Sequence, residues 1–185
     1  YGNANPVIDY TNFNFSTLVG SDSASLFSSI TPNYGTTDAN TNAGSGYAVT
    51  ASIGSTTNYN VTNTPATTLT VNQRALTVTT DAKSKIYGDV DPAFTGSNNL
   101  TANDAALITW AYAPQSYAGN AGTYTIAATA TDASSRLSNY TRTNTYNNLV
   151  VSKKDITAAF TGVLSKTYGN ANPVIDYTNF NFSTL

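Results

Sequence analysis

Eighteen residues, YGNANPVIDYTNFNFSTL, open the chain at position 1 and return without a single difference at 168–185. An identity of that length does not arise by chance, and divergence blurs old copies. The chain therefore reads as one 167-residue period plus an overlap with the next. An older repetition lies inside that period. YGNANP at 1–6 returns as YGDVDP at 87–92, and NAGSGYAVTASI at 42–53 returns as NAGTYTIAATAT at 120–131. Asn58-Tyr59 leading to Leu69-Thr70-Val71 is matched by Asn139-Tyr140 leading to Leu149-Val150-Val151.

Two diverged modules in head-to-tail order follow, with joints near Asn72-Gln73-Arg74 and Ser152-Lys153-Lys154. The expected domains are residues 1–72, a module lacking its first strand; 73–152, a complete module; and 153–185, the start of a third. Each module opens with a strand before its Tyr-Gly turn, at 75–80 and at 156–161, so the strand missing from the first is the equivalent of residues 153–167. The chain starts mid-motif without Met and is expected to be a segment of a longer protein.

Period-two alternation fixes the element type. Tyr124, Ile126, Ala128 and Ala130 point one way and Thr123, Thr125, Thr129 and Thr131 the other, which predicts a strand with one buried face. Tyr47, Val49, Ala51 and Ile53 repeat the pattern, as do Leu76 and Val78, and Ile108, Trp110 and Tyr112. One wet face implies antiparallel sheet. Only two short helices are expected, Ser23–Ser28 capped by Asp22 and Ala105–Ile108 capped by Asn103 or Asp104. The fold class is all-β, mainly antiparallel, in tandem elongated modules with at most one short helix each. With no Cys, packed apolar surface and sheet hydrogen bonds must supply the stability.

The order YG-x-x-x-P, a Gly-Thr-Tyr-x-Ile strand, Asn-Tyr, and Leu-Thr-Val followed by Lys or Arg resembles the MBG repeat of the YGX type, found in large filamentous-haemagglutinin-like bacterial adhesins. The resemblance implies a tandem β module on a secreted or surface-anchored protein, with no catalytic residues to carry over. The first module departs from the order with Gly44-Ser45-Gly46-Tyr47 in place of Gly122-Thr123-Tyr124, which predicts a bulge or a longer loop before that strand. Within all-β, the Gly-Thr-Tyr strand resembles the penultimate strand of immunoglobulin-like domains, where the Tyr anchors a corner. A β-grasp arrangement using the short helix is the rival.

Composition excludes more than it selects. Charged residues are 10% with net charge −2 and no basic stripe, so nucleic acid is not an expected partner. No apolar run approaches the roughly 20 residues of a spanning helix, so no membrane insertion is expected. His and Cys are absent and all ten acids are Asp, so no His or Cys completes a nucleophilic pair, and an Asp–Asp or Ser–Lys site would need a pocket that thin strands seldom enclose. The chain is not expected to be an enzyme.

Asp89 and Asp91, with Asp81 and Asp104 as further oxygen donors, are the candidate calcium site at a joint. The competing reading is a solvated turn, because the equivalent turns at 1–6 and 168–173 carry Asn. No other cofactor is implied. Tyr10, Phe13 and Phe15, with their copies Tyr177, Phe180 and Phe182, cannot all share one face of a regular strand, and they are the candidate contact surface. The other aromatics read as core. Paired Thr such as Thr77 and Thr79 read as ordinary β propensity rather than an ice-binding array. Asn14, Asn60, Asn99 and Asn139 sit in glycosylation-type triplets that an Asn- and Thr-rich chain produces by composition.

The expected role is the shaft of a bacterial surface adhesin or extracellular filament, secreted or outer-membrane-associated. Neighbouring identical repeats of the same or adjacent chains are the expected partners, with a host or neighbouring-cell surface beyond them. The alternatives are a multivalent glycan- or protein-binding module and a strand-exchange filament subunit.

Overall fold

A computed structural model describes residues 1–184 and is almost wholly strand and loop. The strands, in chain order, are β1 (Ile30–Asn33), β2 (Gly44–Ile53), β3 (Ala66–Val71), β4 (Arg74–Thr80), β5 (Lys83–Ile86), β6 (Gly96–Asn98), β7 (Thr109–Pro114), β8 (Gly122–Thr131), β9 (Tyr140–Thr145), β10 (Asn148–Ser152), β11 (Ile156–Phe160) and β12 (Phe180–Thr184). One four-residue helix, α1 (Ala102–Ala105), and short 3-10 turns fill the gaps. The chain is all-β, as the alternation requires.

Two compact units result. The first holds Tyr1–Val78, Asn98–Ala111 and Thr129–Thr145; the second holds Thr79–Ser97, Tyr112–Ala128 and the chain from Tyr146 onward. In the first unit β1, β2 and β3 form an antiparallel sheet in that order, with a register irregularity between Gly44 and Tyr47 where the extra residue was expected. Val49, Ala51 and Ile53 turn inward from β2, and Phe27, Leu76, Val78 and Ile108 are buried in the same unit. A fully buried aliphatic side chain contributes about 1.5–3 kcal/mol by leaving water.

The corresponding strands of the second repeat are ordered β5-β10-β8-β7. The alternation of β8 is realised, with Ile126 wholly buried and the threonines of the opposite face outward. Ile126, Leu149 and Val151 form the centre of the second unit, with Phe94, Tyr112, Tyr117 and Tyr124 packed around them. Two residues, Asp81 and Ala82, separate β4 from β5, and β5 does not fold back on β4. It joins β10 as a parallel neighbour, Leu149 opposite Lys83 and Ser152 opposite Ile86. Antiparallel pairing is thus the majority pattern rather than the whole of it. A third sheet is ordered β6-β4-β9, and β11 pairs antiparallel with β12.

The Tyr-Gly motif is a turn with a mechanical reason for its glycine. Asp89 N donates to Ile86 O, Asn170 N donates to Thr167 O, and Gly88 and Gly169 take φ of +92° and +86°. A left-handed third residue is the signature of a type II turn, and glycine adopts it without a Cβ penalty. The Gly-Thr-Tyr expectation also holds locally. Tyr124 donates its hydroxyl to Asn120 O at 3.0 Å, and Tyr47 to Asn42 O at 2.8 Å, so each ring ties its strand to the loop before it.

The helix expectations need correction. Asp22 caps nothing: the 3-10 turn Ala24–Leu26 begins after Ser23, and Asp22 accepts the Tyr59 hydroxyl. Neither Asn103 nor Asp104 is a cap, because Thr101 Oγ1 accepts from Asp104 N and starts α1 at Ala102, three residues earlier than expected. Asp104 is inside the helix and buried. A threonine three residues upstream of the acid offers the same acceptor geometry, and the acid has a stronger use elsewhere.

Candidate functional site

Each repeat contains the same clasp between a tyrosine and an aspartate about half a module apart. In the first, Tyr59 donates to Asp22 Oδ2 at 2.7 Å while its oxygen accepts from Val19 N at 2.8 Å. In the second, Tyr140 donates to Asp104 Oδ2 at 2.6 Å and accepts from Thr101 N at 3.1 Å. In both, the amide donor lies three residues before the aspartate.

The second clasp also holds the turn of the neighbouring repeat, entirely within the first unit. Tyr1 donates to Asp104 Oδ2 at 2.7 Å, and its ring meets Tyr140 edge-on with centroids 5.4 Å apart. Thr101 Oγ1 lies 3.1 Å from the same carboxylate oxygen, and Arg136 Nε lies 3.8 Å from Oδ1. Beside this cluster the buried Asn139 accepts from Ala43 N at 2.7 Å and donates to Asn42 Oδ1 at 3.0 Å. Gln73 Nε2 reaches Ser138 O at 2.8 Å across the joint. One repeat is fastened to the next by polar groups that are mostly desolvated, where an unmade hydrogen bond is costly.

The electrostatics follow from those partners. Burial alone raises the Asp104 carboxyl, but the hydroxyls of Tyr140, Tyr1 and Thr101 and the Arg136 charge outweigh it and hold the group below the ordinary carboxylate value. Burial, the bond to Asp104 and its negative charge push the Tyr1 hydroxyl up to about 12. Burial and the same carboxylate raise Tyr140.

A second feature of the first unit is a cleft of about 480 Å³ lined by Phe13, Phe15, Val49, Ala51, Ile53 and Val61 among others. The rings of Phe15 and Phe27 stack at 4.3 Å on its wall. Beside it, β3 is bonded to β2 on one side and to no strand on the other among the described residues. Its counterpart β10 has neighbours on both sides. Leu149 and Val151 of β10 are buried, whereas Leu69 and Val71 of β3 are only half-buried.

The family model described as MBG domain (YGX type) matches residues 1–70 and again residues 76–150. The chain belongs to the MBG domain family of the YGX type. Neither the curated proteins nor the solved structures hold a match to it. The YGX signature names the turn whose tyrosine, in the first MBG repeat, enters the clasp of the second.

Against this geometry the residues singled out from sequence fall differently. Phe13 and Phe15 line the cleft, and Tyr10 stands on the 3-10 turn Tyr10–Asn12 that Asp9 caps, which resolves how three aromatics share six residues. Tyr177 stands on the equivalent turn, while Phe180 and Phe182 lie on β12, where Phe180 meets Phe160 at 4.8 Å. Phe182 and Tyr177 are exposed. Asp91 is engaged by Lys85 at 2.6 Å and Tyr117 at 2.9 Å, Asp81 by Thr95, and Asp104 by its hydroxyl donors. Asp89 is exposed, and no three acidic side chains converge among the described residues.

Sequence reading missed Tyr1, Thr101, Arg136 and Tyr140 as a group. The signal was present: an aspartate precedes the tyrosine of Asn-Tyr by 37 residues in one repeat and 36 in the other.

Proposed function

We propose that this chain is a structural segment of a bacterial surface adhesin or extracellular filament, in which MBG repeats set length and reach. The observation that carries the reading is the junction at Asp104, where one repeat's turn is bound by the next repeat's tyrosine and aspartate rather than joined by a bare linker. Repeats that contact chiefly their neighbours add length without adding a new core, and a polar, desolvated joint restrains bending. The exact 167-residue period supports an array of such joints. Residues 1–72, 73–152 and 153–185 are the repeat boundaries in this reading.

An extracellular or cell-surface location accords with the family resemblance. No catalytic step and no cofactor belong to the proposal. Small-angle X-ray scattering on chains of one, two and three periods tests it. Maximum dimension should grow in equal steps at constant cross-section. A cross-section that thickens with each added period would overturn the shaft.

A further inference from the structure

The joint at Asp104 is built from short motifs that occur in both repeats. One face carries the Tyr-Gly turn and the Asn-Ala-Gly loop: Tyr1 donates to Asp104 Oδ2, Ala43 N donates to Asn139 Oδ1, and Asn42 Oδ1 accepts from Asn139 Nδ2. The other face carries the aspartate and the Asn-Tyr pair. The second repeat holds the first face again, as Tyr87-Gly88 and Asn120-Ala121-Gly122. Its turn is set on its own last strand in the same way, since Tyr1 N donates to Asn72 O and Tyr87 N to Ser152 O, each at 2.8 Å. The first repeat holds the other face again, as Asp22 and Asn58-Tyr59, with Tyr59 bridging Asp22 and Val19 N as Tyr140 bridges Asp104 and Thr101 N.

We propose that each second-type repeat docks on the first-type repeat that follows it in the same chain through these two faces, and that this joint is the weaker of two that alternate along the array. Tyr87 donates to the Asp22 carboxylate of the next period beside that period's Tyr59. Asn58 of the next period accepts from Ala121 N and donates to Asn120 Oδ1. The inference rests on the array of 167-residue periods in the shaft reading.

The difference in strength follows from which side chains the two joints do not share. Asp104 also has Thr101 Oγ1 at 3.1 Å and Arg136 Nε at 3.8 Å. Val19 stands in the place of Thr101, and the loop 54–57, which replaces residues 132–138, holds no charged side chain. Asn103 Nδ2 donates to Asn40 Oδ1 and Arg136 to Asn40 O, whereas the corresponding residues are Ser21 and Ala118. Gln73 donates to Ser138 O and accepts from Thr141 Oγ1, but Lys153 in its place has only donors. The second joint keeps the two tyrosine bonds and the asparagine pair and loses the third hydroxyl and the arginine. A carboxylate with fewer donors and no guanidinium beside it holds its partners less firmly. Repeats joined at Asp104 therefore move as pairs, and bending or opening concentrates at every second joint, where local stability is lowest.

Two amides report the two joints, Ala43 N through Asn139 and Ala121 N through the next period's Asn58. In the 185-residue chain Ala43 N is bound at 2.7 Å, and Ala121 N meets no acceptor among the described residues. Residue-resolved hydrogen exchange on a chain of two periods should show the first-period Ala121 amide newly protected, several-fold less than Ala43. Asn58→Ala in the second period should return Ala121 to its rate in the 185-residue chain and leave the first-period Ala43 unchanged; Asn58 is exposed on its own repeat, so the change spares that repeat's fold. Val19→Thr in the second period restores the third hydroxyl and should raise Ala121 protection several-fold. A first-period Ala121 that exchanges as it does in the 185-residue chain would overturn the second joint, and protection equal to that of Ala43 would overturn the alternation. Either result leaves stepwise growth of the maximum dimension intact, whereas a thickening cross-section with Ala121 protected overturns the shaft alone, so the two readings fail separately.

Discussion

Replacing Asp104 by alanine removes the group on which the joint converges. The carboxylate is 1% exposed and accepts from Tyr140 at 2.6 Å, Tyr1 at 2.7 Å and Thr101 at 3.1 Å. A hydrogen bond to a charged group contributes about 1.5–3 kcal/mol, but three donors on one oxygen do not add. Tyr1 and Thr101 are part-buried in these bonds and can find water, while Tyr140 is left facing Thr101 alone. The expected loss is therefore about 3–5 kcal/mol, the range for removing one partner of a buried charged contact. Asp104→Asn keeps an acceptor oxygen without the charge and should cost about half of that.

Urea unfolding followed by circular dichroism, with the slope held constant between variants, reads the difference. The pH dependence supplies a second check. The folded carboxyl titrates below its ordinary value, so its contribution is complete above the unfolded value and disappears as pH falls through the folded one. The gap between Asp104→Ala and the unmodified chain must close in acid. A loss under about 1 kcal/mol, or a gap independent of pH, would refute the account of the joint.

Other outcomes follow from single features. Gly88→Ala should cost about 1–2 kcal/mol in thermal unfolding through backbone strain alone, since φ is +92° and a Cβ there meets nothing within 4 Å; Gly88→Asn should cost less. Leu149→Ala, at a wholly buried position beside Ile126 and Val151, should cost about 2–5 kcal/mol in the same assay. Raising pH should leave the Tyr1 contribution intact up to its ordinary value and remove it as pH passes about 12, which ultraviolet difference titration of Tyr1→Phe against the unmodified chain would resolve. Calcium should leave the melting temperature unchanged, because Asp91 is already engaged by Lys85 and Tyr117; a rise that Asp89→Asn abolishes would restore those two residues as ligands.

Strands were the most legible part of the sequence because one wet face imposes a period of two, and β2, β4, β7 and β8 stand where alternation set them. The bulge before Tyr47 and the tyrosine that ties β8 to its loop were legible for a similar reason: they depend on glycine and tyrosine within a few residues of each other. The parallel pairing of β5, and the removal of Asp22 and Asp104 from helix caps to tyrosine clasps, were not. Those outcomes depend on partners 36 to 66 residues away, and no local preference ranks them.

The duplicated eighteen residues separate the two kinds of information directly. At Tyr10–Asn12 and Tyr177–Asn179 the same capped turn forms in both copies, with Asp9 and Asp176 each accepting from the threonine two residues on. Its hydrogen bonds close within four residues, so the sequence alone determines it. Residues 13–17 and 180–184 share the same letters, yet one stretch is loop and the other is β12. A strand satisfies its backbone groups only through a neighbour: β11 pairs with 180–184, and no strand pairs with 13–17 among the described residues. Sequence determined which segments could become strands, and tertiary structure decided which of them did.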